Sequence, residues 1–137
     1  MGKNPKLIIK NAINQVLRFQ TKSGITKARL VWNGDFGKRA TAHLQRAQAM
    51  LDSEVMKQME PYMQLDSGAM IKSMEIRTDV GSGEVVVDTP YARRVFYSSS
   101  SPGRPSGPLR GPRYFDRMKA DKKEYFRKFA QRAVGIK

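Results

Sequence analysis

The longest regular pattern in the chain is a stripe of apolar residues, Ala40, Leu44, Ala47, Leu51, Val55 and Met59, stepping by three or four positions. That spacing puts all six on one face of a helix. The helix is predicted from Asp35 or Phe36 to about Tyr62, with Pro61 ending it by removing a donor and disfavouring helix before it. A second helix is predicted from about Tyr114 to Ala133. Phe115, Met118, Tyr125, Phe126, Phe129 and Ala133 favour one side, and Arg117, Lys119, Lys123, Arg127 and Lys128 occupy the rest. Aromatics interleaved with cations can form a base-stacking platform, but helical spacing explains these aromatics as a core face. A third helix is predicted over about residues 5–21. Asn4-Pro5 reads as N-cap and first helical position, Ile9, Ala12, Ile13, Val16 and Leu17 recur at helical spacing, and Lys22-Ser23-Gly24 supplies the stop. Its other side carries Lys6, Lys10 and Arg18; packing on a core is the simpler use for it than a membrane surface.

Between these segments the pattern changes. Residues 25–32 read as a strand and Asn33-Gly34-Asp35 as a turn. Residues 65–70 read as a loop followed by a short helical turn capped by Asp66 or Ser67. Residues 74–78 and the β-branched run 84–88 read as two strands of a hairpin joined at Gly81-Ser82-Gly83. Thr89-Pro90 then opens a short helix carrying Tyr91, Ala92, Val95 and Phe96. Residues 98–112 form a Ser/Pro/Gly loop with Leu109 as its one apolar residue, too polar to offset its ordering entropy by burial. Arg104, Arg110 and Arg113 lie in or beside it. The methionines at 50, 56, 59, 63, 70 and 74 read as core filler.

Composition narrows the function. The 137 residues suit one domain, and the net charge is +14, of which +10 lies from Arg93 onward. A field of that kind favours a polyanion or an acidic protein surface as neighbour. Cysteine is absent and His43 is the sole histidine, which excludes thiolate sites and His-rich metal sites within one chain. No apolar run is long enough to span a bilayer, and none follows the basic start, so neither a membrane segment nor a signal peptide is expected. Phosphate-binding glycine loops and nucleophile elbows are missing. His43 lies beside the apolar stripe of the long helix as a surface or boundary residue. Asp79 and Asp88 flank the hairpin without a supporting lysine, and solvated strand ends explain them better than a metal pair. These readings favour a binding or structural role without cofactor over an enzyme.

Three stretches, in order, resemble the minor capsid proteins of tailed bacteriophages, which are similar to head–tail joining, or tail completion, proteins. The first is Pro61 to Ser73 with Asp66, Ser67 and Gly68 at its centre; Ser67 stands where the family has threonine, Met70 where it has leucine, and Pro61 precedes the tyrosine. The second is Val87 to Arg93, whose core Thr89-Pro90-Tyr91-Ala92-Arg93 matches without a gap. The third starts at Tyr114, in place of a tryptophan, and carries Phe115, Arg117, Met118 and Lys119. The likeness spans roughly residues 25–133. It implies an α+β fold: a long helix and a C-terminal helix packed on a small, mostly antiparallel sheet. The expected organisation is one domain over 1–137, with 1–24 as an extra N-terminal helix and 98–112 as a flexible loop. The resemblance also implies a virion subunit at the head–tail junction, assembled in the host cytoplasm into a six- or twelve-fold ring around the DNA channel. Its partners would be neighbouring connector and tail proteins, with non-specific contact to genomic DNA and no membrane. Arg104, Arg110 and Arg113 are the candidate DNA or partner contacts. The alternative, suggested by charge alone, is a sequence-independent nucleic-acid-binding protein.

Overall fold

The computed structural model describes residues 7–98 and 107–135. The fold is α+β, with a two-stranded antiparallel sheet and four helices among the described residues. Strand β1 (Gln15–Thr21) pairs with β2 (Gly24–Leu30), from Gln15 opposite Leu30 to Thr21 opposite Gly24. Helix α1 (Phe36–Met59) continues into a 3-10 turn, Glu60–Tyr62. Helices α2 (Ala69–Arg77), α3 (Ala92–Phe96) and α4 (Tyr114–Val134) follow.

The two long helices lie where their apolar stripes predict. They run antiparallel: Tyr62 donates its hydroxyl to Asp121 (2.8 Å), Tyr125 donates to Glu54 (2.7 Å), and His43 Nε2 shares a hydrogen bond with the carbonyl of Val134 (2.7 Å). Their crossing, closed by α2 and α3, holds the core: Met59, Tyr62, Met63, Met70, Ile71, Met74, Ala92, Tyr114 and Met118. Met59, Met63, Met70 and Met74 fill this core as expected, while Met50 is exposed. An unbranched thioether adapts to the irregular gaps left where short helices abut long ones.

The predicted N-terminal helix over 5–21 is corrected. Its cap, Asn4-Pro5, lies outside the described residues. Residues 7–14 are irregular and 15–21 form β1. The segment runs against the start of α1 through its own polar groups. Thr41 Oγ1 accepts from the Ile9 amide (2.8 Å), Asn11 Oδ1 accepts from the Gly37 amide (2.6 Å), and Gln45 donates to the Leu7 carbonyl (2.9 Å). Asn11 thereby supplies a partner for an unbonded amide at the helix N-terminus, where Asp35 makes no side-chain cap. A Cβ on Gly37 would sit 2.7 Å from the Asn11 backbone, so the approach requires glycine. Gly24 serves as the last turn position of a hairpin (φ +134°) and not as a helix cap.

The predicted strand 74–78 is corrected as well. Met70, Ile71 and Met74 bury one helical face, and α2 continues to Arg77. Among the described residues, 84–88 therefore have no strand to pair with. Their amides turn to side chains of α2 and the residue after it: Val86 donates to Thr78 Oγ1 (3.0 Å) and Asp88 to Ser73 Oγ (2.8 Å).

Candidate interaction surfaces

The three sequence motifs, far apart in the chain, meet at one end of the α1–α4 pair. Gly68 adopts a left-handed conformation (φ +76°) as the N-cap of α2, and Ser67 Oγ accepts from the Ala69 amide at 3.4 Å. Pro90 stands two residues before α3, whose first amide, at Ala92, is held by the Thr89 carbonyl (3.1 Å). Ala92 and Met118 are buried in the same core. Phe96 meets Tyr114 edge-to-face at 4.9 Å, and the Arg113 amide donates to the Phe96 carbonyl (2.9 Å). Asp66, Ser67 and Gly68 share a cleft of about 280 Å³ with Tyr91 and Arg94. Arg93, Phe115 and Lys119 are exposed, Phe115 lining an apolar groove.

The candidate arginines divide. Arg104 lies outside the described residues. Arg110 donates to the carbonyls of Glu60 (3.0 Å) and Met63 (2.8 Å), which close the end of α1. Arg113 has the one positive φ outside glycine among the described residues (+51°). Its guanidinium covers the Tyr97 ring at 4.8 Å and the Phe96 ring at 5.7 Å, and pairs with Asp116 at 3.3 Å, yet much of it stays solvent-accessible. Arg117 is half-buried and donates to three carbonyls, those of Leu109, Pro112 and Tyr62. Arg110 and Arg117 are thus committed to backbone oxygens, while Arg113 still presents charge to solvent.

Two features escape the sequence reading. Asp52 is buried and accepts three hydrogen bonds, from Gln48 Nε2 (2.6 Å) and the amides of Gly81 (2.7 Å) and Gly83 (3.0 Å). It fixes the turn 79–83 onto α1. The second is the β1–β2 hairpin. Alternation puts Leu17, Phe19, Ala28 and Leu30 on one face, and Arg18, Lys27 and Arg29 together with Val16 and Ile25 on the other. Every residue of both strands is exposed, Leu17, Phe19 and Leu30 at 45%, 52% and 46%. The signal was present in the alternation of residues 15–30 around Lys22-Ser23.

Between α1, residues 83–87 and the start of α4 lies an apolar groove of about 550 Å³, lined by Leu51, Val55, Val85, Val87, Phe96 and Phe115 among others. Among the described residues no group of three or more His, Cys, Asp or Glu could hold a metal, and no helix is long and apolar enough to cross a membrane.

Along the α1–α4 seam, hydrogen bonds from Tyr125 and then Gln58 hold the Glu54 carboxyl below its ordinary value. The bond to Asp121 pushes the Tyr62 hydroxyl up, and burial does the same to Tyr114. Because the folded value for Glu54 is depressed, its contribution is complete above the unfolded value and is lost as pH falls through the folded one. Glu54→Gln is therefore expected to be less stable than the parent at neutral pH, the gap closing in strong acid. Urea denaturation at both pH values measures it; a gap independent of pH would discount the Glu54 carboxylate as the cause.

Compared with known protein families, residues 26–134 match the one described as Minor capsid protein. No curated protein and no solved structure matches the chain.

Proposed function

The chain belongs to the minor capsid protein family, a structural component of the phage virion, and from that premise we propose that it joins head to tail as one subunit of a ring in the neck. The observation that carries this reading is the projecting hairpin. A subunit that worked alone would gain nothing from holding a hairpin away from its own core with Val16, Leu17, Phe19, Ile25 and Leu30 in water. A ring built from repeated head-to-tail contacts uses two different surfaces of one chain and closes when the rotation closes. A six- or twelve-fold ring is the form proposed.

The charge suits the position. DNA passing through a neck channel presents phosphates without regard to sequence. Lys119, Lys123, Arg127 and Lys128 lie exposed on α4, and Arg113 adds a cation beside its first turn. The proposed neighbours are therefore further copies, adjoining connector and tail proteins, and the genome by non-specific contact. Assembly would take place in the host cytoplasm. The same cations support the second reading, a sequence-independent nucleic-acid-binding protein. Steep salt dependence of duplex binding by the isolated chain would favour it.

Immunolabelling of intact particles tests the joining role. Label confined to the head–tail junction in electron micrographs is expected. Label spread over the head, or absent with the epitope shown to be accessible, would overturn it.

A further inference from the structure

The strands of the β1–β2 hairpin carry their charge on one face only. There Arg18 stands directly opposite Lys27, and Arg29 is diagonal to Arg18. Side chains so placed lie about 5–8 Å apart at Cβ, and like charges directly opposite weaken the pairing. Val16 and Ile25 share this face at two opposite corners, Val16 across from Arg29 and Ile25 across from Gln20. Between those corners Arg29, Arg18, Lys27 and Gln20 form a diagonal polar band. The other face, with Gln15, Leu17, Phe19 and Thr21 opposite Leu30, Ala28, Thr26 and Gly24, holds no charge.

The three cations are exposed, and among the described residues their side chains make no ion pair, hydrogen bond or ring contact. Elsewhere the fold commits its arginines. Arg77, Arg113 and Arg127 are each held by a carboxylate, and Arg110 and Arg117 by carbonyls. Sequence sharpens the contrast. Residues 7–34 hold five cations, Lys10, Arg18, Lys22, Lys27 and Arg29, and no acid, whereas α4 mixes its cations with Asp116, Asp121 and Glu124. The hairpin thus presents positive charge that no acid of its own segment offsets, at a cost to its own pairing.

We propose that this face binds the phosphate backbone of duplex DNA, without regard to sequence, through Arg18, Lys27 and Arg29. The proposal rests on the reading of the genome as a neighbour and names the element that meets it. Charge density favours DNA over an acidic protein surface. A matching protein would have to crowd three carboxylates as closely as the hairpin crowds its cations, and would repel itself equally. A duplex holds one charge per about 1.7 Å of its axis by covalent bonding, and binding releases the counterions it has condensed. Phosphates accept from lysine and arginine alike, which suits a face that mixes the two. The uncharged face, with Leu17, Phe19 and Leu30, is left for protein, so the hairpin can lie between a neighbouring subunit and the duplex.

Fluorescence anisotropy of a labelled random-sequence duplex, titrated with the full-length chain at several salt concentrations, tests this. The combined variant Arg18→Gln, Lys27→Gln, Arg29→Gln should bind about tenfold or more weakly at low salt, and its slope of log affinity against log salt should be shallower by about 2–3. Its melting temperature should be no lower than the parent's, because a like-charge pair has been removed; the loss is then not one of folding. Lys38→Gln, Arg46→Gln, Lys72→Gln takes the same charge from exposed positions on α1 and α2 and should leave the slope unchanged. Gln20→Glu and Gln15→Glu make one substitution on opposite faces of one strand. Only the first, beside the cations, should weaken binding several-fold. Equal losses from both triple variants, or from both glutamates, would reduce the effect to net charge and overturn the proposal. So would a parent that does not bind the duplex, or a hairpin variant that binds like the parent; failure of that variant to join heads to tails would then point to an acidic protein as the partner. Junction label on particles with binding indifferent to the hairpin overturns this contact and leaves the joining role. Hairpin-dependent binding by a chain absent from particles does the reverse.

Discussion

Replacing Asp52 with alanine is expected to lower stability by about 3–5 kcal/mol, the cost of leaving several donors unmet in a closed site. The carboxylate accepts from Gln48 and from the amides of Gly81 and Gly83, and it is 4% exposed. Gln48 is on the helix and can turn to water. The two amides belong to a turn and cannot leave without moving residues 79–83 off α1. For a chain of this length the loss corresponds to a fall in melting temperature of roughly 10–15 °C. Asp52→Asn separates charge from geometry. Its remaining oxygen can serve both amides, but its own N–H group would face the Gln48 donor unless that amide flips. It should cost about 1–2 kcal/mol, close to one hydrogen bond to a charged group. Thermal unfolding of both variants measures this. An alanine variant within about 0.5 kcal/mol of the parent, the range of an ordinary surface substitution, would mean that the turn holds itself. The consequence reaches beyond stability. Glu84, Val85 and Val87 follow this turn directly, so the apolar groove loses one wall when the turn detaches.

The long helices were legible because each buries a stripe, and a stripe can only be written at the helical period. Both were placed within a few residues of α1 and α4. The N-terminal segment was not legible in the same way. Ile9, Ala12, Ile13, Val16 and Leu17 fit a helix, but Leu17 and Phe19 also alternate, and a run of seven residues satisfies both periods. What decides is the partner. Residues 25–32 already read as a strand, and a strand must pair; the nearest chain able to pair with it across the two-residue loop Lys22-Ser23 is 15–21. The strand expected at 74–78 failed for a related reason. Four or five alternating residues also fit the last turn of a helix, and Met70, Ile71 and Met74 together commit the segment to α2.

The surfaces were legible in part. Of the motif residues expected to open a helix, Ala92 does start α3, but Tyr91 is its N-cap and Thr89-Pro90 stand just ahead of it, and Met118 does enter the core. That the three motifs meet around Tyr62, Phe96 and Tyr114 is a property of the tertiary packing and leaves no local trace. Asp52 is illegible for the same reason. Its partners are backbone amides some thirty positions away, and no side chain in the sequence advertises them. Arg110 and Arg117 read from the sequence as available charge or as motif members. The fold uses both as ties between helix end and loop, because the last carbonyls of a helix need donors and guanidinium offers several from one side chain.

Arg117→Ala is accordingly expected to cost about 2–4 kcal/mol, since hydrogen bonds to a charged group contribute about 1.5–3 kcal/mol and several here act as a unit. Its Nε donates to the Pro112 carbonyl (2.9 Å), Nη1 to Leu109 (2.5 Å) and Nη2 to Tyr62 (3.4 Å), and the guanidinium stands 5.6 Å over the Tyr62 ring. The Tyr62 carbonyl also accepts from the Gly111 amide (3.2 Å). One side chain therefore ties the end of the Ser/Pro/Gly loop to the end of α1 at the seam where α4 begins. Arg117→Lys is the discriminating variant. It keeps the charge but has a compact ammonium in place of a planar fork, and it cannot reach three carbonyls at once while covering a ring. It should recover less than half of the loss. Trypsin is expected to cut after Arg110 or Arg113 sooner in both variants, because the segment 107–113 loses its anchor while the α1–α4 seam at Glu54 and Tyr125 remains. A lysine variant as stable and as resistant as the parent would show that charge alone suffices. Arg117 would then belong with the surface cations of α4, and the tie between loop and helix would rest on Arg110.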